Sequence, residues 1–235
     1  MSTAIPSPHA EPAVVVARDR EDVLVGGEIV RHRRSVRIVH WTVAVTFMAA
    51  LLSGMPIWTP VFGWMAFLFG GLSACRVVHP WTGVAFSIGS VLLFFQWVAR
   101  MHLEPSERAW FGRRMLEYMR YQGDDSETGK YNGGQKILFW AVSLGMIGLL
   151  LSGVLMWFPE VFPPVLRRAS YLLHDFTFIL FAVAIVFHVY LGTAAEPGTF
   201  RSMTRGTVTR EWARFHHPRW YREVTGDDPR EQRPG

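Results

Sequence analysis

The chain has 235 residues, half of them apolar, and a formal net charge of +5. Its apolar residues form blocks of about 20 residues, the length that crosses a bilayer, so the composition excludes an ordinary soluble domain. The basic residues lie beside these blocks, so we attribute the positive charge to the membrane topology and expect a lipid bilayer, not a nucleic acid, as the partner. The single cysteine excludes an internal disulfide.

Residues 1–30 are polar and contain three prolines. Because they lack an apolar core, we do not expect a cleaved signal peptide, and we predict a disordered N-terminal extension. A four-helix transmembrane domain is predicted at 31–195, followed by a basic cytoplasmic or interfacial tail at 196–235. The four predicted spans are Ile38–Trp58, Trp81–Ala99, Ile137–Phe158 and Tyr171–Thr193.

The basic residues are distributed unequally between the two sides of these spans. Of the 24 Lys and Arg residues, 21 precede the first span, follow the fourth or lie between the second and third. The positive-inside rule therefore predicts that both termini and the central loop face the cytoplasm. The fold class expected is an all-α, four-helix transmembrane bundle.

Two histidines of the fourth span, His174 and His188, are fourteen residues apart. On one helix they lie about 21 Å apart and leave by nearly the same face. The predicted topology places His40 at the depth of His188, and His79 at the depth of His174. Two such pairs predict bis-histidine ligation of two b-type haems, held non-covalently because the sequence has no CxxCH motif. A transport or proton-relay role for the histidines is the alternative, and His102 is a competing ligand.

A short repeat links the outer ends of the first and third spans. Leu51–Trp58 and Leu150–Trp157 share the pattern LLSGxxxW, so Gly54 and Gly153 are expected at one depth. Three interpretations of the pattern are open: close helix packing through small residues, coincidence, or space that the two glycines leave for a flat macrocycle.

The histidines stand within longer motifs that carry a resemblance over residues 31–224. The chain resembles the gamma subunit of membrane-bound respiratory formate dehydrogenase, a di-haem cytochrome b. The motifs are RIVHWTV at Arg37–Val43, VVHPWTG at Val77–Gly83, GKYNGGQK at Gly129–Lys136 and TREWARFHHPRWYREV at Thr209–Val224.

The resemblance implies two haem b groups and a quinone, either menaquinone or ubiquinone, as cofactors. It assigns the inner haem iron to His40 and His188 and the outer haem iron to His79 and His174. It also implies a quinone pocket of Asn132, Gly134, Gln135 and His188. An amide can donate to a quinone carbonyl, and a glycine lets backbone N–H groups approach the ring. The sequence of this loop, taken without the resemblance, is typical of a flexible turn.

The function implied is that of an electron-transfer and quinone-reducing subunit in a bacterial inner membrane. Its partners would be an iron–sulfur subunit and a catalytic dehydrogenase subunit, so no catalytic residue for formate oxidation is expected in this chain. A cytochrome subunit of a hydrogenase or another dehydrogenase remains the closest alternative, and a haem-free transporter or anchor is the other.

Overall fold

The computed structural model describes residues 19–108 and 128–227, which divide into two compact units. The bundle unit comprises Ile38–Ala99 and Ile137–His188. The second unit, here called the cap unit, is built within the described residues from 19–37, 100–108, 128–136 and 189–227.

Four helices are long and apolar enough to cross a membrane, which confirms the predicted four-helix membrane fold. Their many exposed apolar side chains suit a lipid environment rather than water. The helices are α1 (Arg34–Trp58), α2 (Leu72–Trp97), α3 (Gly133–Trp157) and α4 (Pro164–Tyr190). Shorter segments adjoin them: a 3₁₀-helix at Pro60–Phe69, a 3₁₀ turn at Val98–Arg100, a helical turn at Pro105–Arg108 and a π-helical turn at Leu191–Ala195.

The second and fourth helices begin earlier than predicted. Helix α2 begins at Leu72 rather than Trp81, so His79 and Pro80 lie inside it. Helix α4 begins at Pro164 rather than Tyr171. The polar residues in these first turns lower the local hydropathy without interrupting the helix, and a proline is tolerated inside a transmembrane helix.

A layer of four buried side chains crosses the middle of the bundle, one from each long helix. They are Phe47, Phe86, Met146 and Phe181. The three phenyl rings pack with centroid separations of 5.1 to 5.7 Å. Gly145 makes this packing possible, since a Cβ there would lie 2.9 Å from the Phe181 ring. Small residues of this kind let transmembrane helices approach closely.

The cap unit contains a small antiparallel sheet of β1 (Val23–Val25), β2 (Glu28–Val30) and β3 (Thr207–Thr209). Gly26 and Gly27 form the β1–β2 turn with φ values of 57° and 85°, which glycine adopts without strain. The predicted disorder is therefore wrong for 19–30, because β2 pairs with a strand from the other end of the chain. Residues 1–18 of the predicted extension lie outside the described residues.

The segment after the fourth helix is folded rather than a simple tail. Helices α5 (Thr199–Thr204), α6 (Arg210–His216) and α7 (Pro218–Thr225) surround the sheet. Their core consists of Ile29, Val208, Trp212, Ala213, Trp220 and Tyr221. The part of the predicted tail at 228–235 lies outside the described residues.

Candidate paired-histidine sites

The bundle brings the four predicted histidines together as two pairs. The rings of His40 and His188 have centroids 6.2 Å apart, and those of His79 and His174 are 6.1 Å apart. Each pair joins α4 to a different helix, α1 in the first and α2 in the second. The pairing is the one that the depth argument predicts.

The aromatic layer fixes the depth of both pairs. His40 lies seven residues before Phe47, and His79 lies seven before Phe86. Phe181 is seven residues from each histidine of α4, on either side. Seven residues are almost two helical turns, so each histidine shares a helix face with its phenylalanine, about 10 Å away along the axis. The two pairs therefore lie on opposite sides of the layer.

Hydrogen bonds orient both rings of the His79–His174 pair, called the outer pair after its predicted side. His79 Nδ1 lies 2.9 Å from the carbonyl oxygen of Ala50, which can only accept, so His79 Nδ1–H donates. His174 Nδ1 lies 2.9 Å from Ser152 Oγ. That hydroxyl already donates to the Gly148 carbonyl at 2.6 Å, so it accepts from His174 Nδ1–H. Both bonds leave Nε2 as the ring nitrogen with the lone pair.

The two glycines of the LLSG repeat face these same rings. A Cβ at Gly54 would lie 2.8 Å from His79 Cε1 and 2.9 Å from Nδ1. A Cβ at Gly153 would lie 3.6 Å from His174 Cε1, an ordinary contact distance. Gly54 is thus required for the position of His79, whereas Gly153 leaves more space beside His174.

The His40–His188 pair, called the inner pair after its predicted side, has one ring without a comparable hydrogen bond. His40 Nδ1 is buried and has no hydrogen-bond partner in the described part of the chain. The same is true of Ser90 Oγ and Gln96 Oε1 on α2. Buried polar atoms usually have partners, so these three atoms are exceptions within the described part of the chain.

The distance between the ring centres of both pairs fits a metal bound between two imidazoles. Two metal–nitrogen bonds of about 2 Å each, plus the distance from each ring nitrogen to its ring centre, add up to about 6 Å. A second nitrogen held by a hydrogen bond is the usual arrangement of a metal-ligating histidine, and His79 and His174 both show it. The donor set of two neutral imidazoles is that of b-type haem.

The loop before α3 is anchored along its length, unlike the flexible turn that its composition suggests. Gly129 O accepts from His217 Nδ1 at 2.6 Å. Lys130 forms ion pairs of 2.7 Å with Glu21 and 2.8 Å with Asp22. Burial, the largest effect, lowers the pKa of the Lys130 ammonium, although both carboxylates oppose that shift.

Asn132 and Gln135 form a reciprocal capping box at the start of α3. Asn132 Oδ1 accepts from Gln135 N at 2.9 Å, and Gln135 Oε1 accepts from Asn132 N at 3.0 Å. Such a box satisfies two backbone donors at a helix N-terminus. The side chains predicted for a quinone pocket therefore have a structural task as well. The box uses the amide oxygen of Gln135 and not its NH₂ group.

The predicted quinone residues come from both units. Asn132, Gly134 and Gln135 belong to the cap unit and His188 to the bundle unit. Their common pocket stays a prediction. The competing ligand His102 has an exposed side chain in the cap unit and lies outside the two histidine pairs.

Sequence reasoning missed the groups that orient the outer pair, the Ser152 hydroxyl and the Ala50 carbonyl. The LLSG repeat was the available signal, because Ser152 belongs to its second copy. It also missed the aromatic layer, for which the signal was the seven-residue spacing from each histidine.

The family model described as "Prokaryotic cytochrome b561" matches residues 31–206. The chain is 35% identical over 200 residues to the formate dehydrogenase cytochrome b556(fdo) subunit of Escherichia coli K12, covering 83% of this chain and 93% of that protein. It is 33% identical over 199 residues to the nitrate-inducible cytochrome b556(Fdn) subunit of the same strain, covering 83% and 91%. The formate dehydrogenase cytochrome b556 subunit of Haemophilus influenzae is 32% identical over 201 residues, with 83% of each chain covered. These relatives confirm the resemblance inferred from the motifs, and the chain belongs to the prokaryotic cytochrome b561 family.

Proposed function

We propose that this chain is the di-haem cytochrome b subunit of a respiratory formate dehydrogenase in a bacterial inner membrane. It would receive electrons from an iron–sulfur subunit at the outer pair, His79 and His174, and deliver them through the inner pair, His40 and His188, to a quinone. Formate oxidation itself belongs to a separate catalytic subunit. Haem b supplies, when bound, a centre that takes and gives one electron at a time.

The observation that carries this proposal is the presence of two facing histidine pairs on opposite sides of one apolar layer. A single pair would serve one redox centre at one depth. Two pairs, each at about 10 Å from the layer, provide one centre toward each membrane surface. The names of the relatives supply the formate dehydrogenase part of the proposal.

The sidedness of the proposal rests on the positive-inside distribution of Lys and Arg. It assigns the His40–His188 pair to the cytoplasmic side and the His79–His174 pair to the outer side. Electrons would then cross the membrane inward, and quinone reduction would take up cytoplasmic protons. The transfer would therefore be electrogenic.

The quinone pocket is proposed at the start of α3, as the acceptor site that follows the inner haem in the electron path. Asn132, Gly134 and Gln135 would line it, with His188 as the inner haem ligand beside it. The capping box holds Asn132 and Gln135 in fixed positions. A rigid loop can present the Gln135 NH₂ group to a quinone carbonyl without losing conformational entropy on binding.

Haem content of the purified chain tests the ligand assignment. We expect two b haems per chain by the pyridine haemochrome assay, and one haem in His79→Ala or His188→Ala. A folded chain without haem would refute the proposal and favour a transporter or anchor.

Copurification of the partner subunits, followed by formate-dependent quinone reduction, tests the dehydrogenase assignment. A hydrogen-oxidising partner would replace formate dehydrogenase with hydrogenase.

A further inference from the structure

One ligand of the inner pair differs in its hydrogen bonding from both ligands of the outer pair, and this difference bears on the direction of electron flow. Both outer ligands donate from Nδ1, His79 to the Ala50 carbonyl and His174 to Ser152 Oγ. His40 Nδ1, in the inner pair, is buried without a hydrogen-bond partner in the described part of the chain.

A hydrogen bond from Nδ1–H makes an imidazole a stronger electron donor at Nε2. A stronger donor stabilises the oxidised iron more than the reduced iron, so it lowers the reduction potential. We propose that Ala50 O and Ser152 Oγ hold the outer haem at a lower potential than the inner haem. Electrons would then move downhill from the His79–His174 pair to the His40–His188 pair. This inference rests on the proposed function.

Ser152 is a positioning residue in this proposal, because it acts through His174. Its hydroxyl is oriented by its own donor bonds, at 2.6 Å to Gly148 O and 3.2 Å to Leu149 O. The residue is fully buried, so water does not compete for the bond to His174. The ring–hydroxyl bond should therefore persist when the site is loaded.

The LLSG repeat provides a matched control in Ser53. This serine is also fully buried, and it donates at 2.6 Å to Ala49 O and 3.2 Å to Ala50 O. Its local bonding is the same as that of Ser152, but it accepts from no histidine in the described part of the chain. Its weaker 3.2 Å bond only shares the Ala50 carbonyl with His79. If removing any buried hydroxyl raises the lower potential through packing, both serine variants should show the rise. If the rise comes from losing the hydrogen bond to His174, only the Ser152 variants should show it.

The test is a potentiometric titration of both haems in the purified full chain, with the absorbance of the b-haem α-band as the signal. We expect two components in the wild type, and loss of the lower-potential one in His79→Ala. Ser152→Ala should shift the lower potential upward and leave the higher one in place. Ser53→Ala should raise neither potential, because it removes only a competitor for Ala50 O. Ser152→Cys keeps nearly the same volume with a weaker acceptor, so it should shift the same component in the same direction.

An unmoved lower potential in both Ser152 variants would overturn the inference, as would an equal shift in Ser53→Ala. If Ser152→Ala fails to bind the outer haem, the lower potential measured in Ser152→Cys decides whether the inference holds. If the lower-potential component survives in His79→Ala, the order of the two potentials is wrong. Two haems with unmoved potentials would refute this inference alone, whereas fewer than two haems in the wild type would refute the proposed function with it.

Discussion

Replacing Gly54 by alanine should remove the outer haem while leaving the inner one bound. Gly54 lies on α1 against the ring of His79 on α2, with no side chain between them. The added methyl group would lie 2.8 Å from His79 Cε1 and 2.9 Å from Nδ1. Carbon atoms in favourable contact lie about 3.5 Å apart or more, so the ring would have to retreat by about 0.7 Å.

That displacement is larger than a metal site tolerates. Ligand distances are held within about 0.2 Å, so a retreat of about 0.7 Å takes Nε2 out of bonding range. The ring cannot simply rotate away without losing its bond to Ala50 O. An alanine in a helix interior is otherwise more stable than glycine by about 0.5–1 kcal/mol, so loss of haem would not be explained by a weaker helix.

Haem stoichiometry by the pyridine haemochrome assay measures the outcome, with Gly153→Ala as the control. The equivalent methyl group at Gly153 would lie 3.6 Å from His174 Cε1, which requires no displacement. We expect about one haem per chain in Gly54→Ala and two in Gly153→Ala. The retained inner haem would report that the bundle is folded. Two haems with unchanged spectra in Gly54→Ala would refute the reasoning.

Three further predictions concern the inner pair, the loop and the cap unit. His188→Ala should bind about one haem per chain by the same assay, and retention of both would remove His188 from the ligand set. Gln135→Ala should weaken the cap of α3 by about 0.5–2 kcal/mol and slow quinone reduction with both haems present. Gln135→Glu keeps an acceptor for the box without the NH₂ group, so normal turnover in this variant would contradict a donor role. Burial lowers the pKa of His217 and lowers that of His216 to about 4. In the unfolded chain these imidazoles take up protons near pH 6.5, whereas in the folded chain they stay neutral at that pH. The stability of the cap unit, measured by tryptophan fluorescence, should therefore fall as the pH drops from about 6.5 toward 4. An unfolding midpoint that stays constant over this pH range would contradict the prediction.

The four spans and the histidine pairs could be predicted because each depends on local features. Length and hydropathy identify a span, and helical geometry sorts residues by depth and face. The starts of α2 and α4 could not be predicted this way. Arg76 and His79 lower the hydropathy of α2 near its N-terminus, yet the backbone there stays helical.

The cap unit could not be predicted from local pattern, because its contacts join distant parts of the chain. Residues 19–30 contain only two short apolar runs, Val23–Val25 and Ile29–Val30, and β2 pairs with β3 near the opposite end of the chain. Asp22 shows the same dependence. Burial opposes its ionisation, but Lys130, Arg100 and the Trp220 N–H together lower the pKa of its carboxyl. A turn-like loop sequence therefore becomes a fixed structure only through these partners.

The LLSG repeat shows how one local pattern supports two different ligand arrangements. In the first copy, the glycine gives His79 its space, and a backbone carbonyl one turn earlier, that of Ala50, accepts its hydrogen bond. In the second copy, the serine side chain accepts the bond from His174, and the glycine is less tightly packed. Because a backbone carbonyl cannot be removed by substitution, the Ser152 bond is the one of the two that a variant can remove. The contrast between Ser152→Ala and Gly54→Ala then separates the electronic effect of a ligand's partner from the steric requirement for its position.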